Sequence, residues 1–157
     1  MVEIEIGKNA PNFTLTDTGL KKVSLKDFDC KTVLAFYPGA FTSVCTKEMC
    51  AFRDSLSKLN ELRAQVIGIS VNDPFCNKAF SETNNLNFPL LSDYAREAVT
   101  IYGVGAEDFA GLKGYTAAKR SIFIIDNKGI VRYTWITEDP TVEPNYAEIM
   151  SILEKIK

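Results

Sequence analysis

The sequence predicts an α/β layer fold: a central mixed β-sheet flanked by helices, with an N-terminal β-hairpin extension. Three observations carry that expectation. Apolar runs rich in β-branched residues, "KTVLAFYP" and "QVIGISV", each lead into a segment with helical periodicity. A hairpin pattern, "RSIFIIDNKGIVRYTWI", follows late in the chain. An amphipathic segment, "NYAEIMSILEKI", closes it. Strands alternating with helices, then a hairpin, then a helix, make a mixed sheet between helical layers.

Taken in order, "FTLTD" and "KKVSL" read as short strands around the turn "DTGL". "KTVLAFYP" reads as a buried strand stopped by Pro38-Gly39. A helix is expected from Thr42 or Ser43, since either hydroxyl can cap free backbone N–H groups. Cys45, Met49, Phe52, Leu56 and Leu59 recur at steps of four and three and are expected to form one apolar stripe. "QVIGISV" is a second buried strand, and Asp73-Pro74 is a capping residue followed by proline at the first helical position. "FCNKAFSETNN" continues that helix, and "FPLLSD" and "AREAVTIYG" give a short strand and helix. The late hairpin turns on residues 126–129, and the amphipathic segment ends the chain. No repeat, low-complexity tract or linker interrupts residues 1–157, so one domain is expected. A βαβ unit followed by ββα is the order of thioredoxin-like domains.

Composition narrows the function. At 46% hydrophobic and 24% charged residues the chain has the makeup of a soluble globular domain with a substantial core. A net charge of −2 with scattered basic residues gives no footprint for nucleic acid or an anionic membrane. No apolar run approaches the roughly 20 residues a membrane-spanning helix needs. The start "MVEIEIGKNAPNF" alternates charged and apolar residues, unlike a secretory or transit peptide, so a cytoplasmic protein is expected.

There, four cysteines (Cys30, Cys45, Cys50 and Cys76) are expected to be free, catalytic or metal-binding rather than structural bridges. The chain has no histidine. A zinc site would need all four thiolates or carboxylates, and Ser-His-Asp and Cys-His machinery is ruled out.

The stretch "PGAFTSVCTKEMC", residues 38–50, puts Cys45 in a first helical turn. Unpaired N–H groups and the helix dipole favour an anion there by about 0.3–1 kcal/mol. A free thiol titrates near about 8.5, and moving one down by two pH units takes roughly 2.7 kcal/mol. The dipole alone falls short, so an activated thiol here needs a cation and hydroxyl donors as well. Position by itself leaves open whether Cys45 is a nucleophile or a small core residue, since buried cysteine is common. Cys76 also falls in a first turn, but Asp73 beside it would raise rather than lower a thiol pKa.

The pattern Pro38-x-x-x-Thr42-x-x-Cys45, within "AFYPGAFTSVCTKE", resembles the active-site signature of peroxiredoxins. The similarity runs from "GKNAPNFTLTD" through "VIGISVNDPF" to "AAKRSIFIIDNKGIVRY", nearly the whole chain in the right order. The close spacing of Cys45 and Cys50 resembles the bacterioferritin comigratory protein subgroup, whereas "VNDPF" and "GLKGYTAAKR" are similar to other subgroups.

The resemblance implies a thiol peroxidase acting on hydrogen peroxide or organic hydroperoxides without haem, flavin or metal. It implies Cys45 as the peroxidatic nucleophile, passing through a sulfenic acid. Thr42 would hydrogen-bond thiolate and peroxide, Pro38 would shield the sulfur, and Arg120 would supply the cation. Read alone, Arg120 is a surface charge. Glu48 matches a recurrent family position and reads equally well as a surface residue supporting the helix.

Cys50 would resolve the sulfenic acid by a Cys45–Cys50 disulfide. On an ideal helix their Cα atoms lie roughly 8.6 Å apart, beyond the about 7 Å a disulfide spans, so the helix would have to unwind. Cys30 or Cys76 stands as the alternative resolver, and otherwise both are spare thiols. A thioredoxin- or glutaredoxin-like protein would return the electrons. Homodimer and monomer are both open. The rival readings are a general thiol–disulfide oxidoreductase, disfavoured by the lack of C-x-x-C, and a non-catalytic holdase or redox sensor.

Overall fold

The computed structural model of the chain describes residues 4–156. Among these, a seven-stranded mixed sheet has the order β2-β1-β5-β4-β3-β8-β9. The hairpin strands β1 (Thr14–Thr16) and β2 (Lys22–Ser24) form one edge, joined to β5 (Leu90–Ser92) through Thr16 opposite Ser92. At the centre β3 (Lys31–Phe36) pairs in parallel with β4 (Ala64–Ser70), and β4 with β5. β8 (Ser121–Ile125) pairs antiparallel with β3, and β9 (Val131–Ile136) closes the other edge. The expected architecture, including the N-terminal hairpin, is the one observed. The short ladder β6 (Gly105–Ala106) with β7 (Ala117–Ala118) is additional, too short to leave a period-2 pattern.

Alternation along β3 splits the core into two. Val33 and Ala35 face a layer built from Met49 and Phe52, Leu59, Phe80, Ile149 and Leu153. Those side chains come from α1 (Ser43–Asp54), α2 (Leu56–Glu61), α3 (Pro74–Thr83) and α5 (Tyr146–Lys155). Leu34 and Phe36 face the opposite layer, where α4 (Glu97–Ile101) contributes Ala98 and Val99, beside Tyr102, Phe13 and Leu15. β4 runs so close to β5 that a Cβ on Gly68 would lie 2.6 Å from Leu90 Cδ2. No helix of the described residues is long and apolar enough to cross a membrane.

Two local expectations need correction. The stripe from Cys45 to Leu59 is not one helix: Ser55 ends α1 and begins α2, leaving Leu56 only half-buried. Thr42 is the N-cap of α1, but its hydroxyl caps nothing. It donates instead to the Gly39 carbonyl at 2.7 Å. By contrast, Asp73 accepts from Cys76 N at 2.8 Å to cap α3, with Pro74 at the first position as the sequence predicts.

Candidate active site

β3 delivers the chain to the site. The Tyr37 amide adds one more bond to β4 by donating to the Ile69 carbonyl at 2.9 Å. Pro38 is buried, and the Ala40 amide donates to Asn72 Oδ1 at 2.9 Å, tying the turn to the loop after β4. Phe41 then adopts φ +66°, a left-handed conformation that costs a non-glycine residue about 1–3 kcal/mol and is concentrated at functional turns. Its ring rests edge-on against Phe80, 5.3 Å between centroids. α1 begins at Ser43, two residues after Phe41.

Cys45 lies in the first turn of α1 and is 1% exposed. It does not sit in purely apolar packing. Arg120, in the residue just before β8, brings Nη2 to 3.3 Å from Cys45 Sγ. The same guanidinium donates through Nη1 to Glu48 Oε1 at 2.8 Å. It also donates to the Pro140 carbonyl, from Nε at 3.2 Å and Nη2 at 2.7 Å. Arg120 is 1% exposed and Glu48 0%, so the surface readings of both are overturned. A charge this deeply buried needs partners in every direction, and the planar fork of arginine supplies the donors to reach three at once.

Burial pulls against the charge on Arg120, while Glu48 and the Cys45 sulfur, both electron-rich, hold its pKa above the usual value. Burial is also the largest influence on Glu48. It pushes that carboxyl up to about 7, with Glu143 adding to the rise and Arg120 opposing it. Glu48 Oε2 is buried without a hydrogen-bond partner, consistent with a carboxyl that gives up its charge easily.

The Pro140 carbonyl belongs to a turn over residues 137–142. The Thr137 amide donates to the Arg120 carbonyl at 3.1 Å, and Asp139 Oδ1 accepts from the Thr141 amide at 2.9 Å and hydroxyl at 2.6 Å. This acceptor is a main-chain atom, so nothing in the residue types announced it. A cavity of about 260 Å³ adjoins the guanidinium, with Pro38, Phe109, Lys119 and Glu138 among its walls.

Of the residues singled out by sequence, Cys45 and Arg120 meet directly, and Pro38 and Thr42 occupy the turn leading into them. Cys50 stands on the same helix, partly exposed, with Sγ 3.8 Å from Asn84 Oδ1. Cys30 and Cys76 lie elsewhere, just before β3 and in the first turn of α3. Burial raises both of their thiol pKa values, and Asp73 raises that of Cys76 further. Tyr37 is core, its hydroxyl donating to Asn77 Oδ1 at 3.1 Å, whereas Phe41 is exposed and Trp135 half-buried on β9. All four cysteines are unpaired thiols.

Comparison with known proteins agrees with this geometry. Residues 6–134 match the AhpC/TSA family. Chloroplastic peroxiredoxin Q of Triticum aestivum is 38% identical over 155 residues, spanning 98% of this chain and 69% of that protein. A putative peroxiredoxin bcp of Coxiella burnetii is 40% identical over 136 residues, 85% of this chain and 89% of the other. The crystal structure of peroxidoxin BcpB from Mycobacterium tuberculosis superposes with a TM-score of 0.87 at 30% identity, covering 98% and 99% of the two chains. With a thiol and a guanidinium in contact at the head of α1, and that likeness along nearly its whole length, the chain belongs to the AhpC/TSA family and is a BCP-like peroxiredoxin, a thiol peroxidase.

Proposed function

We propose that Cys45 is the peroxidatic residue and that Arg120, Thr42, Pro38 and Cys50 carry the rest of the cycle. The observation that carries this reading is the 3.3 Å contact between Arg120 Nη2 and Cys45 Sγ, both groups withdrawn from solvent. The guanidinium faces the sulfur in a region of low dielectric, where it can stabilise charge carried through the attack, and a cysteine attacks as its thiolate. Arginine keeps its charge at every physiological pH, so the chain dispenses with histidine.

Peroxide reaches the sulfur from the Pro38 side. The thiolate attacks the distal oxygen: the S–O bond forms, the O–O bond breaks, and sulfur gives up two electrons to become a sulfenic acid. The departing oxygen leaves as alkoxide or hydroxide and takes a proton from solvent. Arg120 and the first-turn amides of α1 face the charge as it develops, the arrangement that lowers such barriers most. In the resting arrangement the Thr42 hydroxyl proton is committed to Gly39, so its oxygen offers lone pairs to the peroxide O–H.

Cys50 then closes the disulfide. α1 is continuous from Ser43 to Asp54, so closure requires its first turn to open. A thioredoxin- or glutaredoxin-like protein reduces the disulfide by thiol exchange. The reading places the cycle in a reducing compartment, the cytoplasm, where such reductants act.

The test is peroxide consumption with a thiol reductant, together with peptide mapping after one equivalent of peroxide. Cys45→Ser is expected to abolish turnover, and wild type to show a Cys45–Cys50 link. Unchanged turnover in Cys45→Ser refutes the assignment of the nucleophile. A link from Cys45 to Cys30, Cys76 or another chain refutes the resolving role of Cys50 alone.

A further inference from the structure

Both cysteines of the cycle stand on α1, but the two halves of that helix are held differently. In the first turn Ser43 is exposed, and Val44 and Thr46 are only half-buried. Further along, Met49 and Phe52 are sealed in the core. The Cys50 turn has a second attachment, to Asn84 at the C-cap of α3.

Asn84 Oδ1 accepts from Cys50 Sγ at 3.8 Å, and the Asn84 carbonyl accepts from Arg53 Nη1 at 2.7 Å. Its Nδ2 donates back to the Phe80 carbonyl at 3.0 Å, which fixes the side chain against α3. Residues 50 and 53 lie one turn apart on the same face of α1. The Arg53 cation meets the end of α3, where carbonyl dipoles converge. One residue therefore holds the Cys50 turn at two points while leaving the thiol partly open to solvent.

Disulfide closure must bring two Cα atoms from roughly 8.6 Å, the spacing on an intact helix, to within about 7 Å. Of the four buried side chains of α1, the start carries the polar pair Cys45 and Glu48, held through Arg120, and the later half carries the apolar pair Met49 and Phe52. Oxidation also puts an oxygen on the sulfur that Arg120 holds, which changes that contact. The Cys45 turn is thus the moving partner, and its motion is productive only when Cys50 waits in place.

We propose that Asn84 is a positioning residue for disulfide formation: with Arg53 it clasps the second half of α1 to α3, so that Cys50 stays parked while the first turn opens toward it. This rests on the reading of Cys50 as resolving residue. In the step itself the S–S bond forms, the S–O bond of the sulfenic acid breaks, and water leaves carrying the Cys50 thiol proton. The clasp touches none of residues 43–47, so its loss frees the Cys50 half of the helix rather than the Cys45 half. Losing it slows closure.

The test separates the two chemical steps by rapid mixing with hydrogen peroxide, acid quench and mass spectrometry of the α1 peptide. In Asn84→Ala and in Arg53→Ala the sulfenic acid should form at the wild-type rate. Disulfide formation should slow by about fivefold in Arg53→Ala, the scale of one partly exposed charge-assisted hydrogen bond, and by less in Asn84→Ala, which keeps the main-chain carbonyl that Arg53 reaches and loses only the side-chain bonds to Cys50 Sγ and the Phe80 carbonyl. A larger share of Cys45 should then go on to sulfinic acid at high peroxide, and Arg53→Lys should recover part of the rate. A role in helix stability alone would not move that partition while sparing the first step. Arg53 lies at the surface, so its variant keeps the question answerable if Asn84→Ala folds poorly. Closure at the wild-type rate or faster in Arg53→Ala overturns the proposal while leaving Cys50 as resolver. Absence of a Cys45–Cys50 link in wild type overturns both.

Discussion

Glu48→Gln in a Cys45→Ser background isolates the titration of one buried carboxyl. The background takes Cys45 out of the comparison, and Glu48 keeps the surroundings that set its behaviour: burial, Arg120 and Glu143. Its pKa stands at about 7 in the folded protein against an ordinary 4.5, and Gln has the same shape without the proton. A folded pKa above the unfolded one means that the contribution to stability is fully present below about pH 4.5 and is lost as pH rises through about 7. At about 1.36 kcal/mol per pH unit the loss totals roughly 3 kcal/mol. Urea unfolding of the single and double variants from pH 4 to 8 measures it. The stability of Cys45→Ser minus that of Cys45→Ser/Glu48→Gln should be flat at the acid end, fall by roughly 3 kcal/mol, and level off again. Groups that titrate alike in both variants cancel in the difference. A curve flat to within about 0.5 kcal/mol, or one that rises with pH, would show that Arg120 offsets the burial of Glu48 completely, and the argument from burial would be wrong.

Three further outcomes follow from the same contacts. Arg120→Lys loses the fork that reaches sulfur, Glu48 and Pro140 together, so the rate of sulfenic acid formation should drop by roughly tenfold to a hundredfold, read by stopped flow under single turnover. Thr42→Val keeps the shape of the side chain but removes the hydroxyl proposed to accept from peroxide, and the same assay should show a loss of about tenfold with little change in unfolding midpoint. Gly68→Ala would press a methyl group to 2.6 Å from Leu90 Cδ2 and 3.3 Å from Tyr37, costing about 1–3 kcal/mol in denaturant unfolding while the separate Cys45–Arg120 contact survives.

Much of this was legible in the sequence wherever local chemistry decides local structure. Asp73-Pro74 caps α3, and Asp126 organises the late hairpin through bonds from the Lys128 and Ile130 amides at 2.8 and 2.9 Å. Asn145 caps α5 by accepting from the Glu148 amide at 3.0 Å. The pairing of Cys45 with Arg120 was legible through the family pattern, not through physics alone, since nothing local to Arg120 distinguishes it from a surface arginine. Contacts made across the fold were harder to read. Glu48 is drawn inside by a residue 72 positions away, and Asn84 reaches Arg53 across 31. Thr42 looked like a capping hydroxyl and became a brace for Gly39, because the left-handed Phe41 turns the chain before the helix begins.

Because Arg120 is steadied by a peptide oxygen at Pro140, part of what keeps it in place is invisible to side-chain genetics. In the 137–142 segment Pro140→Ala should be tolerated, since the carbonyl survives that replacement. Deleting one residue there should instead reproduce the defect of an arginine variant, from a segment with no reactive group of its own. Length, more than composition, is what that segment has to conserve.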